Sequence, residues 1–195
     1  MKIYLLERNR EGAEALRNVF REEGVEVVCD DFASFMLTHD VECVVSPANA
    51  YGLMDGGYDA AITAWFGGGL QKKVQEYILT HYFGEQPVAT SFIIDTGRNG
   101  QKLIHTPTMR VPSRILDPSL IYQAMRTTLM IAIQNGVKSI VIPMFGGLTG
   151  GVEYTLIAKL MWMGYRQIIE PNKVIDWATV WKINDRWIAL GLKGG

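Results

Sequence analysis

The sequence predicts an α/β chain, folded as a three-layer α/β/α sandwich around a mixed, largely parallel central sheet. Three observations predict it. Short apolar runs alternate with segments of helical periodicity along 195 residues. Ser139–Pro143 (SIVIP) carries a continuous apolar run, the pattern of a strand covered on both faces. No linker, repeat or low-complexity stretch interrupts the alternation, so one domain spanning residues 1–195 is expected.

The elements follow in order. Lys2–Glu7 (KIYLLE) reads as the first strand. Glu11–Glu23 carries Ala13, Leu16, Val19 and Phe20 at helical spacing, with Gly24 placed to end the helix. Val25–Cys29 and Val41–Ser46 are β-branched runs bounded by polar residues and read as strands. Asp59–Phe66 reads as a helix broken at Gly67-Gly68-Gly69, and a second helix runs through Tyr82. Thr90–Asp95 and Lys102–Thr106 read as strands joined by the turn Gly97-Arg98-Asn99-Gly100. From Pro118 to Asn135 the signals agree: Asp117 to cap, Pro118 for the first position, an apolar face through Ile121, Met125, Leu129 and Ala132, and Gly136 to stop. A further helix is expected over Glu153–Gly164. Trp177, Trp181 and Trp187 recur at amphipathic spacing, so residues 175–195 are expected to form a helical extension.

Composition excludes several classes. Nineteen basic against twenty acidic side chains give a net charge of −1, which offers no general electrostatic reason to bind nucleic acid or an anionic membrane. A hydrophobic content of 48% with 20% charged residues fits an ordinary soluble globular chain. Two cysteines, Cys29 and Cys43, exclude a disulfide framework and a Cys-based zinc site; both fall in apolar runs and are expected to be buried free thiols. The opening apolar run is too short for a signal peptide, and no stretch approaches the ~18 apolar residues of a membrane span, so a reducing cytoplasm is the expected compartment. His39, His81 and His105 lack metal-ligand spacing, and neither a metal nor another cofactor is expected.

The chemistry signal is glycine, twenty residues in all. Seven fall in two loops that follow buried strands: Gly52, Gly56 and Gly57 after the first, and Gly146, Gly147, Gly150 and Gly151 after the second. Such turns aim several N–H groups into one concavity, and a following helix N-terminus adds positive potential. In open α/β sheets ligands sit beyond the carboxyl ends of the strands. Neither GxxxxGK[ST] nor GxGxxG is present, which argues against a P-loop NTPase and a dinucleotide-binding Rossmann domain. Two cradles without a lysine suggest a diphosphate held mainly by backbone donors.

At these residues the chain resembles the macro domain family, which binds ADP-ribose. VVSPANAYGLMDGGYDAAI is similar to the family's NAAN loop, glycine stretch and V-D-x-A-I helix start, with Asn49, Gly56-Gly57, Asp59 and Ile62 on matching positions. Leu103-Ile104-His105-Thr106-Pro107 matches the VIHTVGP segment. Tyr122–Gly136, Ser139–Pro143 and Gly146–Gly151 look like the family's long helix, apolar strand and G-T-G-x-x-G-G loop. The resemblance spans residues 25–165. It implies that Asp31 and the Phe32 amide meet the adenine, and that Gly56, Gly57 and Tyr58 line the distal ribose side. Gly146, Gly147, Leu148, Thr149, Gly150 and Gly151 would cradle the diphosphate. Phe145, Trp177 and Trp181 are the candidates for stacking the adenine. Asn49 would orient the distal ribose, and Asp59, expected to be ionised, would position or activate water. Two departures stand out: Ser46, which is still expected among the ligand-binding residues, replaces the first Asn of NAAN, and Thr63 stands where hydrolytic members often carry His.

Three functions follow as expectations. One is hydrolysis of an ADP-ribose derivative, either an ADP-ribosyl ester on protein or ADP-ribose 1″-phosphate. Another is a non-catalytic module that reads ADP-ribose or ADP-ribosylated protein. The third is an interaction protein that kept the fold and lost the ligand.

Overall fold

A computed structural model of the chain describes residues 1–192. It has six strands, β1 (Lys2–Leu6), β2 (Val25–Val28), β3 (Cys43–Ser46), β4 (Phe92–Asp95), β5 (Lys102–His105) and β6 (Ser139–Pro143). Seven helices accompany them: α1 (Arg10–Val19), α2 (Phe32–Thr38), α3 (Gly57–Phe66), α4 (Gly69–Tyr82), α5 (Ser119–Gln134), α6 (Tyr154–Ile169) and α7 (Trp177–Ala189). One sheet runs in the order β2-β1-β6-β3-β5-β4. All neighbours pair parallel except β4, which closes the edge antiparallel to β5. A mixed, largely parallel sheet is thus realised.

Alternation along the strands builds the three layers. In β1, β3 and β6, Ile3, Leu5, Cys43, Val45, Ile140 and Ile142 enter one core with side chains of α1, α5 and α6. Leu6, Val44 and Val141 point the other way and pack with α2, α3 and α4. Because side chains alternate with period two, a run of successive apolar residues such as Ile140–Val141–Ile142 must be covered on both faces, and in β6 it is.

Four local expectations change. Helix α1 stops at Val19, four residues early, because Phe20 leaves helical geometry to bury its ring edge-on to Tyr165, centroids 5.7 Å apart. Gly24 (φ +87°) then serves a turn into β2. Helix α2 is an addition: Asp31 caps it through Ser34 N–H, and Phe32, Phe35 and Met36 bury its inner face. Helix α6 runs past Gly164, whose missing Cβ allows α5 to approach; an added Cβ would sit 2.8 Å from the Tyr122 carbonyl. Cys29 is exposed just past the end of β2, and Cys43 alone is buried, its thiol pushed up to about 12 by desolvation.

Asp117 Oδ1 accepts the Ser119 N–H at the start of α5. Helix α7 buries no residue; it rests on the domain through Trp187, edge-on to Tyr122 at 4.6 Å. The expected extension 175–195 ends on residues 193–195, which lie outside the described residues. No helix among the described residues is long and apolar enough to cross a membrane.

Candidate functional site

A cavity of about 360 Å³ opens beyond the carboxyl ends of β1, β3 and β6. Its walls come from both glycine loops, from the β1 and β2 ends, and from the segment after β5.

The first loop is held by Asn49. Its Oδ1 accepts the N–H groups of Tyr51 and Leu53 at 3.1 and 3.3 Å, and its Nδ2 donates to the Leu53 carbonyl at 2.7 Å. The side chain lines the cavity while shaping its own turn. Gly56 precedes α3 and supplies no side-chain cap, Gly57 takes φ +56°, and Gly57, Tyr58 and Asp59 of the first turn line the cavity. Thr63 Oγ1 donates to the Met54 carbonyl at 3.0 Å, tying α3 back to the loop.

Asp59 lies in the first turn of α3, on the cavity wall and buried. Its Oδ1 accepts the Ser46 hydroxyl at 2.7 Å. Desolvation pushes the carboxyl up to about 7, with the Ser46 hydrogen bond pulling the other way. The expected full ionisation is therefore corrected: near neutral pH this carboxyl shuttles between its two forms. Ser46 itself does not reach the cavity; it is fully buried and acts on Asp59.

In the second loop, Gly146, Gly147, Leu148, Thr149 and Gly150 line the cavity, and Gly151 flanks it beside Arg114. Gly150 is packed hardest: an added Cβ would stand 2.5 Å from the Gly146 carbonyl oxygen. At the helix behind this loop, Glu153 caps α6 through the Thr155 N–H. Phe145 is corrected as a stacking candidate. It is fully buried in the core beneath the loop, since it follows β6 on its inward side. Trp177 and Trp181 stack on each other at 6.2 Å on α7 and do not line the cavity.

Asp31 and Phe32 also line the cavity, beside residues that sequence reasoning passed over, among them Glu7 and Thr108. Asp31 spends one oxygen on the Ser34 amide and the other on its hydroxyl, both at 2.9 Å, which holds its carboxyl below the usual range. The Tyr58 ring meets Phe32 edge-on at 5.3 Å, so the whole side chain, and not the amide alone, forms wall. Glu7, just past β1, takes the Asn9 N–H at 2.7 Å, and burial raises its carboxyl. Its signal was available: an acid directly after an apolar strand stands where α/β sheets bind ligands. Thr108, Met109 and Pro112 supply the remaining wall from a segment without periodicity. His105 is buried below the site, Nδ1 against Gln86 Oε1 at 2.6 Å, and desolvation lowers it to about 3. Among the described residues, no group of three or more His, Cys, Asp or Glu side chains is placed to hold a metal ion.

This arrangement defines a class: an α/β domain with a cavity between two glycine-rich backbone loops at the strand ends. The Macro domain family profile matches residues 45–161, and the chain belongs to that family. An uncharacterised protein of Aquifex aeolicus is 29% identical over 123 residues, covering 63% of this chain and 71% of that protein. The Oceanobacillus iheyensis macrodomain with ADP has a TM-score of 0.59 at 20% identity, over 78% of this chain and 86% of the other. A glycine-to-valine variant of it with ADPR gives 0.60 at 18%, over 79% and 89%. The macrodomain of Mycobacterium tuberculosis DarG gives 0.56 at 20%, over 68% and 86%.

Proposed function

We propose that this protein binds ADP-ribose or a derivative and hydrolyses it. The carrying observation is Asp59, a buried carboxyl poised near pH 7 in a cavity walled by both glycine loops. The amides of Gly146–Gly150 cradle the diphosphate, and the bare first turn of α3 faces the distal ribose. Asp59, when ionised, takes a proton from the water that attacks the 1″ linkage, and the departing carboxylate or phosphate completes the hydrolysis. Its raised pKa suits that role, since a base works best near the operating pH. The substrates are an ADP-ribosyl ester on protein or ADP-ribose 1″-phosphate, and the partner is then an ADP-ribosylated protein. The Oceanobacillus macrodomain with ADP and its variant with ADPR support the ligand class. On this reading residues 1–195 form one macro-like domain working in the cytoplasm.

The test incubates the protein and Asp59→Ala with both substrates. Turnover that falls at least about 100-fold in the variant supports the assignment. No turnover of either substrate by the unaltered protein overturns hydrolysis. A second reading, an ADP-ribose reader without chemistry, is favoured by one observation. The Asn49 amide and the Thr63 hydroxyl are already engaged with their own loop. Calorimetric binding of ADP-ribose without turnover selects it.

A further inference from the structure

Ser46 stands where the family resemblance expects a ligand contact, and the fold gives it a different task. It is the last residue of β3, fixed by its register with His105 and by the Thr106 N–H on its carbonyl at 3.0 Å. Val44, two residues earlier, enters the core shared with α3, so strand alternation aims Ser46 at the same helix. Its hydroxyl donates to Asp59 Oδ1 at 2.7 Å and has no second partner among the described residues. This contact divides the Asp59 carboxyl. Oδ1 is held from the strand side, while Oδ2 accepts no hydrogen bond among the described residues. Nor is Oδ2 sealed in. Among the described residues, the buried side-chain atoms without a partner are the Tyr58 hydroxyl and His105 Nε2. An unpartnered oxygen that protein does not enclose, on a residue of the cavity wall, is open to the cavity.

We propose that Ser46 is a positioning residue for hydrolysis: it turns one Asp59 oxygen toward β3, leaves the other facing the attacking water, and holds the carboxylate form that takes the proton. The inference rests on the proposed hydrolysis and adds to it a residue that never touches substrate. A hydroxyl that donates to a carboxylate oxygen favours the charged form over the neutral acid. Burial acts in the opposite direction, and the balance leaves the carboxyl at about 7. Without Ser46 burial acts alone, and the base ionises only at higher pH. Other ionisable groups do not take over. Glu7, Arg8, Asp30, Asp31, Asp55 and Tyr58 share the cavity wall and make no hydrogen bond to Asp59. The same holds for Cys43 on β3, His105 on β5, and Lys72, Lys73, Glu76, Tyr77, His81 and Tyr82 of α4. Helix α2 carries no ionisable side chain.

The test is the pH dependence of kcat/KM for the unaltered protein and for Ser46→Ala, Ser46→Cys and Ser46→Thr. The substrate is whichever the unaltered protein turns over, ADP-ribose 1″-phosphate or the ADP-ribosyl ester. An NMR titration of the Asp59 carboxyl accompanies each profile. In the unaltered protein the rate should rise with pH through about 7 and level above it. Ser46→Ala should move both the rise and the carboxyl titration up by about one to two pH units, the scale of a hydrogen bond to a charged group. At about pH 6 the variant is then about ten- to hundredfold slower, and above about pH 9 it approaches the unaltered rate. Its KM should stay within about threefold, because Ser46 does not reach the cavity. Ser46→Cys, nearly the same shape with a weaker donor, should move both curves partway. Ser46→Thr keeps the hydroxyl and should return them. A uniform loss at every pH, with both curves unmoved, marks Ser46 as structural and overturns the inference while the function stands. A carboxyl titration that moves without the rate profile overturns it too, because Asp59 is then not the base that Ser46 serves. No turnover of either substrate by the unaltered protein removes the proposed hydrolysis and this role together.

Discussion

Asp59 offers a measurement that needs no substrate. Its carboxyl titrates near 7 in the fold and near 3.8 when exposed, so the native chain keeps a proton that the unfolded chain has released. The contribution to stability is full below 3.8 and is lost as pH rises through about 7. At about 1.4 kcal/mol per pH unit, the decline between pH 4.5 and 8 comes to ~3 kcal/mol. Asp59→Asn removes the titration and keeps an acceptor for the Ser46 hydroxyl. Urea unfolding of both proteins, at half-unit steps from pH 4.5 to 8, gives the difference curve. Glu7 and His105 titrate in both proteins and cancel in the difference. The unaltered protein should lose ~3 kcal/mol relative to Asp59→Asn across the window, with the curve levelling above pH 7. A difference that stays constant to within about 1 kcal/mol would refute burial as the cause of the shift.

Three further outcomes follow from the same geometry. His105, lowered from 6.5 to about 3 by burial, gives stability that is present above pH 6.5 and lost as pH falls through about 3. Relative to His105→Gln, the unaltered chain should therefore lose ~3 kcal/mol between pH 7.5 and 4, read by urea midpoints. The two buried groups slope in opposite directions, so Asp59→Asn and His105→Gln should tilt the profile oppositely. In the second loop, Gly150→Ala drives a Cβ into the Gly146 carbonyl and should cost about 2 kcal/mol or more. Gly56 has φ −136° and nothing within 4 Å of an added Cβ, so Gly56→Ala should change the unfolding free energy by less than about 0.5 kcal/mol.

The sequence made the layers legible because the strands carry them locally. An unbroken apolar run such as Ile140–Ile142 has only one stable setting, covered on both faces. The glycine loops were legible for a similar reason, since their glycines cluster next to those runs. Helix α2 escaped because FASFMLT is seven residues long, too short to display a period, and because Asp31 reads equally as loop or cap. The ionisation of Asp59 escaped because it depends on long-range burial, which its neighbours in the chain do not announce. Phe145 shows the converse: an aromatic beside a binding loop looks like wall, yet the inward turn of the chain after β6 makes it core. Cys29 fell just past its strand, where one residue decides between core and solvent.

The segment between β5 and α5 has a mechanical consequence. It meets the first loop through Thr108 N–H to the Ala48 carbonyl and Ala50 N–H to the Arg110 carbonyl, at 3.0 and 3.1 Å. A few residues on, the Ile115 N–H reaches the Gly150 carbonyl at 3.0 Å in the second loop. Arg110 clasps Glu85 with two hydrogen bonds, and the Tyr51 hydroxyl donates to the same carboxylate. The two rims are therefore laced by one backbone thread, and neither opens without pulling on the other. Amide protons of both loops should exchange with solvent as one cooperative unit. A molecule that grips one rim thereby stiffens the other before touching it.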